Sequence, residues 1–265
     1  MIILNDLFGF LNEIAPEHYK ESWDNVGLLI GDRHKKVKGV LLSLDLTTSA
    51  IDAAILEGAN VIITHHPIIF GGITAVNTDT TVSKKIIRCI ENGISVYTAH
   101  TNLDSAIIGT NDTLFDILKL QGKVTISVID EVTKAGLGRV GELKEEMTLE
   151  AFLKYISECG FENIKYCTDI RGLNKSIKKV GLCTGAIDSK ILNKAIDMGC
   201  DVCLTGDLTY HRAQEGFNRD VAIIDLGHYN SEVIVLDVLS KMIKERFKID
   251  SKICDIDETI IRQYN

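Results

Sequence analysis

The sequence predicts an α/β fold made of two related α/β lobes. Three observations predict it. Short apolar runs without polar alternation, such as Val61-Ile62-Ile63 and Val221-Ala222-Ile223-Ile224, read as parallel strands covered on both faces. Helical patterns alternate with such runs, end in C′ glycines such as Gly58 and Gly199, and are joined to them by short connections. At one constant offset Gly58, Val61, Thr64 and His65-His66 meet Gly199, Val202, Thr205 and Gly206-Asp207. Any two strand–helix–strand units share part of this match, so it is weak when taken alone.

At 265 residues the chain has room for one large or two modest domains. Its 45% hydrophobic and 25% charged residues are those of a soluble globular protein. A net charge of −8 argues against binding nucleic acid through overall charge. Such a partner would need a local basic patch, or bound metal ions, as its positive element. Met1 to Phe10 has no basic n-region and no small-residue cleavage site, and reads as the first helix. No stretch offers the roughly 18 uninterrupted apolar residues of a membrane span. A cytoplasmic chain with no membrane partner is therefore expected. The seven cysteines lie mostly in apolar runs and are expected as buried free thiols. Cys200-Asp201-Val202-Cys203 matches C-x-x-C. In a strand its two side chains would face opposite ways, and no second pair follows at zinc-ribbon spacing.

Taken in order, Leu4, Leu7, Phe8, Leu11 and Ile14 mark an amphipathic helix over 3–14, with Asn5 or Asp6 as its cap. Ser22 to Gly31 opens with turn-prone residues and closes as a short strand; Trp23, the single tryptophan, is either packing or the edge of a site. Val37 to Leu46 is a strand, Thr47 to Glu57 a helix capped by Thr47 or Thr48, and Val61 to Thr64 the next strand. A helix over 81–92 ending at Gly93, a strand over 94–99 and a helix over 110–118 follow. The segment 124–141 is less regular. A helix over 148–160 and a short strand over 165–169 come next. The second half then has a strand over 180–185, a helix over 189–198, strands over 200–204 and 221–226, a long helix over 231–248, and a closing strand over 252–261. The expected division is 1–123 with 226–265 as a first α/β domain carrying most candidate ligands, and 124–225 as a second.

Polar groups gather beyond the carboxyl ends of these strands, where open α/β sheets place their ligands. His65 and His66 follow one strand, Asp104 follows the next, and His228 follows the last strong one. Adjacent extended residues point to opposite sides, so the two imidazoles of the His-His pair should diverge, which suits two neighbouring ions better than one. Glu232 lies four residues beyond His228, and on a helix those positions share a face. A hydrogen-bonded histidine pair in a loop is the plainer reading of His-His alone; the five residues together favour a metal site. Three imidazoles and two carboxylates suit zinc, iron, manganese or nickel better than calcium. Paired ions activate water and clamp the oxygens of a hydrolysed group. His18 and His34, in polar segments, read as incidental.

Four segments resemble the motifs of the GTP cyclohydrolase I type 2 homologue family, the Nif-like or YbgI-type proteins. They are Ser22-Trp23-Asp24-Asn25-Val26-Gly27-Leu28, Ile63-Thr64-His65-His66-Pro67, His100-Thr101-Asn102-Leu103-Asp104 and Gly227-His228-Tyr229-Asn230-Ser231-Glu232. They stand in the family's order, and the resemblance runs over essentially the whole chain. It implies a Nif-like fold, with mixed sheets around a dinuclear metal cleft, and a ring-shaped homohexamer built as a trimer of dimers. It implies two divalent cations per chain: His65 and His228 on one, His66 and Asp104 on the other, Glu232 bridging both. Thr205-Gly206-Asp207 and His211 match a further element of the family. Asp207 or His211 would serve as a general base, orient a ligand or touch substrate; a capping aspartate and a surface histidine would leave the same sequence.

The function expected is a metal-dependent hydrolase that acts on a nucleotide-like or phosphorylated small molecule through metal-activated water. No G-x-x-x-x-G-K-[ST] phosphate cradle is present, so GTP itself is not indicated by the residues. A non-catalytic metal-binding ring that carries metal, or binds a protein or single-stranded nucleic acid, is the alternative.

Overall fold

The computed structural model describes residues 2–254. In chain order its elements are α1 (Leu4–Ile14), β1 (Gly27–Ile30), β2 (Val40–Ser43), α2 (Thr48–Leu56), β3 (Val61–Thr64), α3 (Thr81–Glu91), β4 (Ser95–Thr98), α4 (Thr101–Ser105) and α5 (Thr110–Ile117). They continue as β5 (Gln121–Val128), β6 (Gly136–Thr148), α6 (Leu149–Glu158), β7 (Lys165–Cys167), β8 (Ser176–Leu182), α7 (Ser189–Asp197), β9 (Val202–Thr205) and α8 (Tyr210–Asn218). The last are β10 (Ala222–Asp225), α9 (His228–Val233), α10 (Val235–Phe247) and β11 (Ser251–Ile253). The fold is α/β with two sheets, as the sequence predicts.

Two compact units share these elements: Met1–Leu103 with the chain from Val235 onward, and Asp104–Ile234. The chain thus passes between units at Leu103 and Ile234, where residues 123 and 225 are expected from sequence. The shift has a packing cause. Leu114, Phe115 and Leu118 of α5 and its end belong to the core that holds Phe152, Ile156, Val180 and Ile224, so α5 goes with the second unit. Asp104, His228 and Glu232 go with it too.

The first unit's sheet has the order β1-β4-β3-β2-β11. Its β2, β3 and β4 run parallel, and β1 lies antiparallel on the β4 edge. Every residue of β3 is buried, as its unbroken apolar run requires. Leu41, Ile62 and Val96 pack with Ile51 and Ala54 of α2 and Ile86 of α3. Thr47 caps α2 by accepting from the Ala50 N–H, and Gly58 leaves that helix at φ +67. At α1 the cap differs from expectation. Ile3 is the cap residue, and Asp6 accepts the Ile3 N–H from inside the first turn.

The second unit's sheet has the order β5-β6-β8-β9-β10-β7. Here β8, β9 and β10 run parallel, and β7 lies antiparallel on the β10 edge. The wiring of β1 to β4 is therefore repeated in β7 to β10. The two sheets differ only beyond β2 and β8, where the first adds parallel β11 and the second adds antiparallel β6 and β5. Val202 and Leu204 face one core, and Cys203 faces another with Ile191, Leu192 and Ile223, so this sheet is also covered on both sides.

Several local expectations are corrected. The 124–141 segment is most of a long hairpin of β5 and β6; the exposed start of β5 carries no apolar signature. The helices α4 and α8 form where the sequence reading assigns no element. The long helix over 231–248 is two, α9 and α10, parted at Ile234. Of the closing strand, β11 is seen, and 255–261 lie outside the described residues. The two thiols of Cys200 and Cys203 do not face apart. Both Sγ atoms lie over Gly181, 3.1 and 3.2 Å from where its Cβ would stand. Cys200 precedes β9 rather than lying in it, so strand alternation does not govern it. Among the described residues no helix is long and apolar enough to cross a membrane.

Candidate metal centre

In the first unit, β3 ends at Thr64 and delivers His65 and His66. Their backbone N–H groups both bond to the Leu44 carbonyl, so the ladder with β2 extends past the strand and fixes the pair. The side chains brace on opposite neighbours. His65 donates from Nδ1 to the Ala99 carbonyl, just beyond β4, at 2.8 Å. His66 donates from Nδ1 to the Asp45 carboxylate, just beyond β2, at 3.1 Å. The two ring centroids are 5.1 Å apart. His100 completes the group. Its Nδ1 donates to Asp24 at 2.9 Å, and its ring lies 5.1 Å from His65 and 5.5 Å from His66. Each of His65, His66 and His100 can present one ligand atom with all three within 4.8 Å of one another.

Asp24 is the buried support of this group. It also accepts from the Thr101 N–H at 3.0 Å and from the Thr101 hydroxyl. Burial raises the pKa of its carboxyl, but the bonds from His100 and Thr101 outweigh that and hold it below the usual carboxylate range. The sequence reading does not name His100, Asp24 or Asp45 as candidate ligands or braces, although Asp24 and His100 lie in two of the motif segments quoted above. His100 stands at a strand end like His65 and was the legible one; the two aspartates are remote in sequence from the imidazoles they brace.

In the second unit, Asp104 sits in α4 and is buried. Thr110 donates to its carboxylate, and the Asn111 side chain donates to its carbonyl at 3.0 Å. Those two residues also hold the turn after β8. The Thr184 hydroxyl donates to Thr110 Oγ1 at 2.8 Å, and the Thr184 N–H donates to Asn111 Oδ1 at 3.0 Å. Gly185 then donates its N–H to Ser231 Oγ on α9 at 3.0 Å. One turn thus supports both Asp104 and α9.

Gly227 caps α9 at φ +84, and His228 is its first residue. The i, i+4 geometry expected of His228 and Glu232 is present, with Nε2 and Oε2 3.2 Å apart. Glu232 is buried. His228 Nδ1 donates to Asp207 at 2.7 Å. The bond from Asp207 first, then that from Glu232, push the His228 pKa from 6.5 up to about 10 against the cost of burial. The same bond lowers that of Asp207. Asp207 therefore meets His228, whereas His211 is exposed in the first turn of α8 with its ring against Tyr210, 5.7 Å between centroids.

These donors suit a transition metal. His65, His66 and His100 each donate to an oxygen through Nδ1, which fixes the tautomer and leaves Nε2 as the coordinating nitrogen; His228 engages Asp207 through Nδ1 and Glu232 through Nε2. Gly185 makes room for a carboxylate: at φ +60, a Cβ there would overlap Glu232 Oε1.

Residues 2–259 match the family model described as Duf34/NIF3 (NGG1p interacting factor 3). The chain is 40% identical over 248 residues to a "GTP cyclohydrolase 1 type 2 homolog" of Clostridium perfringens, covering 93% of each. A protein of the same description from Clostridium acetobutylicum is 37% identical over 91% of this chain and 89% of its own. Staphylococcus aureus protein SA1388 has a crystal structure that superposes with a TM-score of 0.90 at 28% identity, covering 99% of both chains. A family match over nearly the whole length, with two-sheet α/β architecture and candidate metal-binding residues at the strand ends, identifies the chain as a member of the Duf34/NIF3 family.

Proposed function

We propose that this chain is a metal-dependent hydrolase acting on a nucleotide-like or phosphorylated small molecule. His65, His66, Asp104, His228 and Glu232 would hold two divalent cations, from zinc, iron, manganese or nickel. The observation that carries the reading is the first unit's imidazole group, braced at every Nδ1 and able to gather its ligand atoms within 4.8 Å. Bound divalent ions supply Lewis acidity and lower the pKa of water for hydrolysis.

The chain's own residues supply orientation. Asp45 and the Ala99 carbonyl aim the His-His pair. Asp207 aims His228 and takes the part of a positioning residue that also accepts a proton. His211, exposed on α8, takes the part of a substrate contact. The reading also takes the assembly as a cytoplasmic homohexamer, a trimer of dimers, by resemblance to the family.

The test is metal content per chain in the wild type, His66→Ala and Glu232→Ala, followed by a hydrolase screen of the loaded protein. About two ions in the wild type, sharply fewer in both variants, and turnover abolished in His66→Ala with the fold retained, are expected. One ion or none, unchanged by either substitution after metal is supplied, would overturn the site. Full metal loading with no turnover on any phosphorylated or nucleotide substrate would favour a metal carrier.

A further inference from the structure

Trp23 and Phe70 expose more than half their surface, at 55% and 60%, although each stands on an anchored stem. Beside Trp23, Asp24 is buried and bonded to His100 and Thr101. Before Phe70, Ile68 and Ile69 pack against the first unit's core. The two stems are tied together by Asn25, whose Nδ2 donates to the Ile69 carbonyl at 2.8 Å. The rings lie 5.6 Å apart, tilted at 53°, and form a corner rather than a closed stack. The indole is 6.0 Å from the His100 imidazole, edge to face. An exposed aromatic pair on anchored stems, next to a group of imidazoles, leaves ring faces open to solvent.

The geometry points to Trp23 and Phe70 as a stacking corner for the flat heteroaromatic ring of a nucleotide-like ligand, whose polar end faces His65, His66 and His100. The inference rests on the hydrolase reading and narrows its substrate class to ring-bearing molecules. Three features favour a small flat ring as the occupant. The corner is continuous with the imidazole group, so one molecule can reach both. Its walls are preorganised, so little ordering cost falls on binding. Aromatic faces accept any base, because every base has a π-face. The ring is therefore held without being identified, and discrimination among bases is expected to be weak.

Trp23 is the single tryptophan, so its fluorescence reports the corner alone. The metal-loaded protein is titrated with guanosine 5′-monophosphate and, separately, with ribose 5-phosphate, which has the anionic sugar without the ring. Saturable quenching by the nucleotide and none by the sugar phosphate is expected. Phe70→Ala, an exposed position that should fold normally, is expected to weaken the nucleotide roughly tenfold. Calorimetry on Trp23→Phe, which keeps an aromatic face, should lose less than on Trp23→Ala. Equal response to the two ligands, or quenching that rises linearly without saturation, would overturn the proposal. So would an emission shift that follows protein concentration without nucleotide, which would mean that a second copy covers the corner. Metal content of the same samples separates the two readings: ring binding without metal sinks the metal centre and keeps the corner, and two ions without ring binding does the reverse.

Discussion

His65, His66, His100 and His228 each donate one proton to an oxygen that another segment holds in place. At this scale coordination is decided by what stands behind the ligand, because the brace selects the tautomer and the ring direction. Gly185 gives the sharpest test of it. A side chain there must take φ +60 and share space with the Glu232 carboxylate. Gly185→Ala should therefore cost about 1 kcal/mol or more in backbone strain and lower metal affinity roughly 10–100-fold. Thermal denaturation and metal analysis check the two effects separately. Metal affinity equal to wild type would mean that Glu232 does not depend on this cradle.

Among the elements, the turn between β7 and β8 holds a buried carboxylate and ammonium in one ion cluster. Asp169 is buried, accepts from Arg171, and bonds Lys175 Nζ at 3.1 Å; that ammonium, also buried, donates to the Asp220 carbonyl at 2.6 Å. The bond from Arg171 is the largest influence on Asp169, and with that from Lys175 it outweighs burial and depresses the carboxyl below its ordinary 3.8. A depressed folded-state pKa contributes stability above the unfolded value and loses it as pH falls through the folded one. Asp169→Asn should cost about 3 kcal/mol at neutral pH, because it leaves a buried ammonium without its charge partner. Chemical denaturation at a series of pH values should show the gap between variant and wild type closing below about pH 4. A gap that stays constant into acid would assign the loss to packing. Elements also mark where the sequence was readable. The runs that became β3, β9 and β10 are buried along their whole length, so their composition alone declares them. The start of β5 and most of α8 are exposed, and exposed elements draw their residues from the same polar set as loops. The ligand positions were legible because they follow strand ends. Asp24, Asp45, Thr110 and Gly185 were not, because a brace is chosen by contact across the fold and leaves no spacing to read.

The whole molecule repeats one wiring, an antiparallel edge strand followed by three parallel strands, in each of its two units. The weak offset match between Gly58 and Gly199 was the trace of that repeat. At this scale the open expectation is assembly. Sedimentation velocity of the purified chain should give a single six-chain species, and a monomer at micromolar concentration would remove the ring. The repeat also sets the His65-His66 position of one half against Gly206-Asp207 of the other. A Cβ at Gly206 would stand 2.6 Å from Ser231 Oγ, 2.8 Å from the His228 Cα and 2.9 Å from the Gly185 carbonyl oxygen. Two of those neighbours are backbone and cannot swing aside. If the halves descend from one ancestral unit, their divergence has become a ratchet. The second half took α9 into the space that a histidine would need, and no single substitution now restores the symmetry.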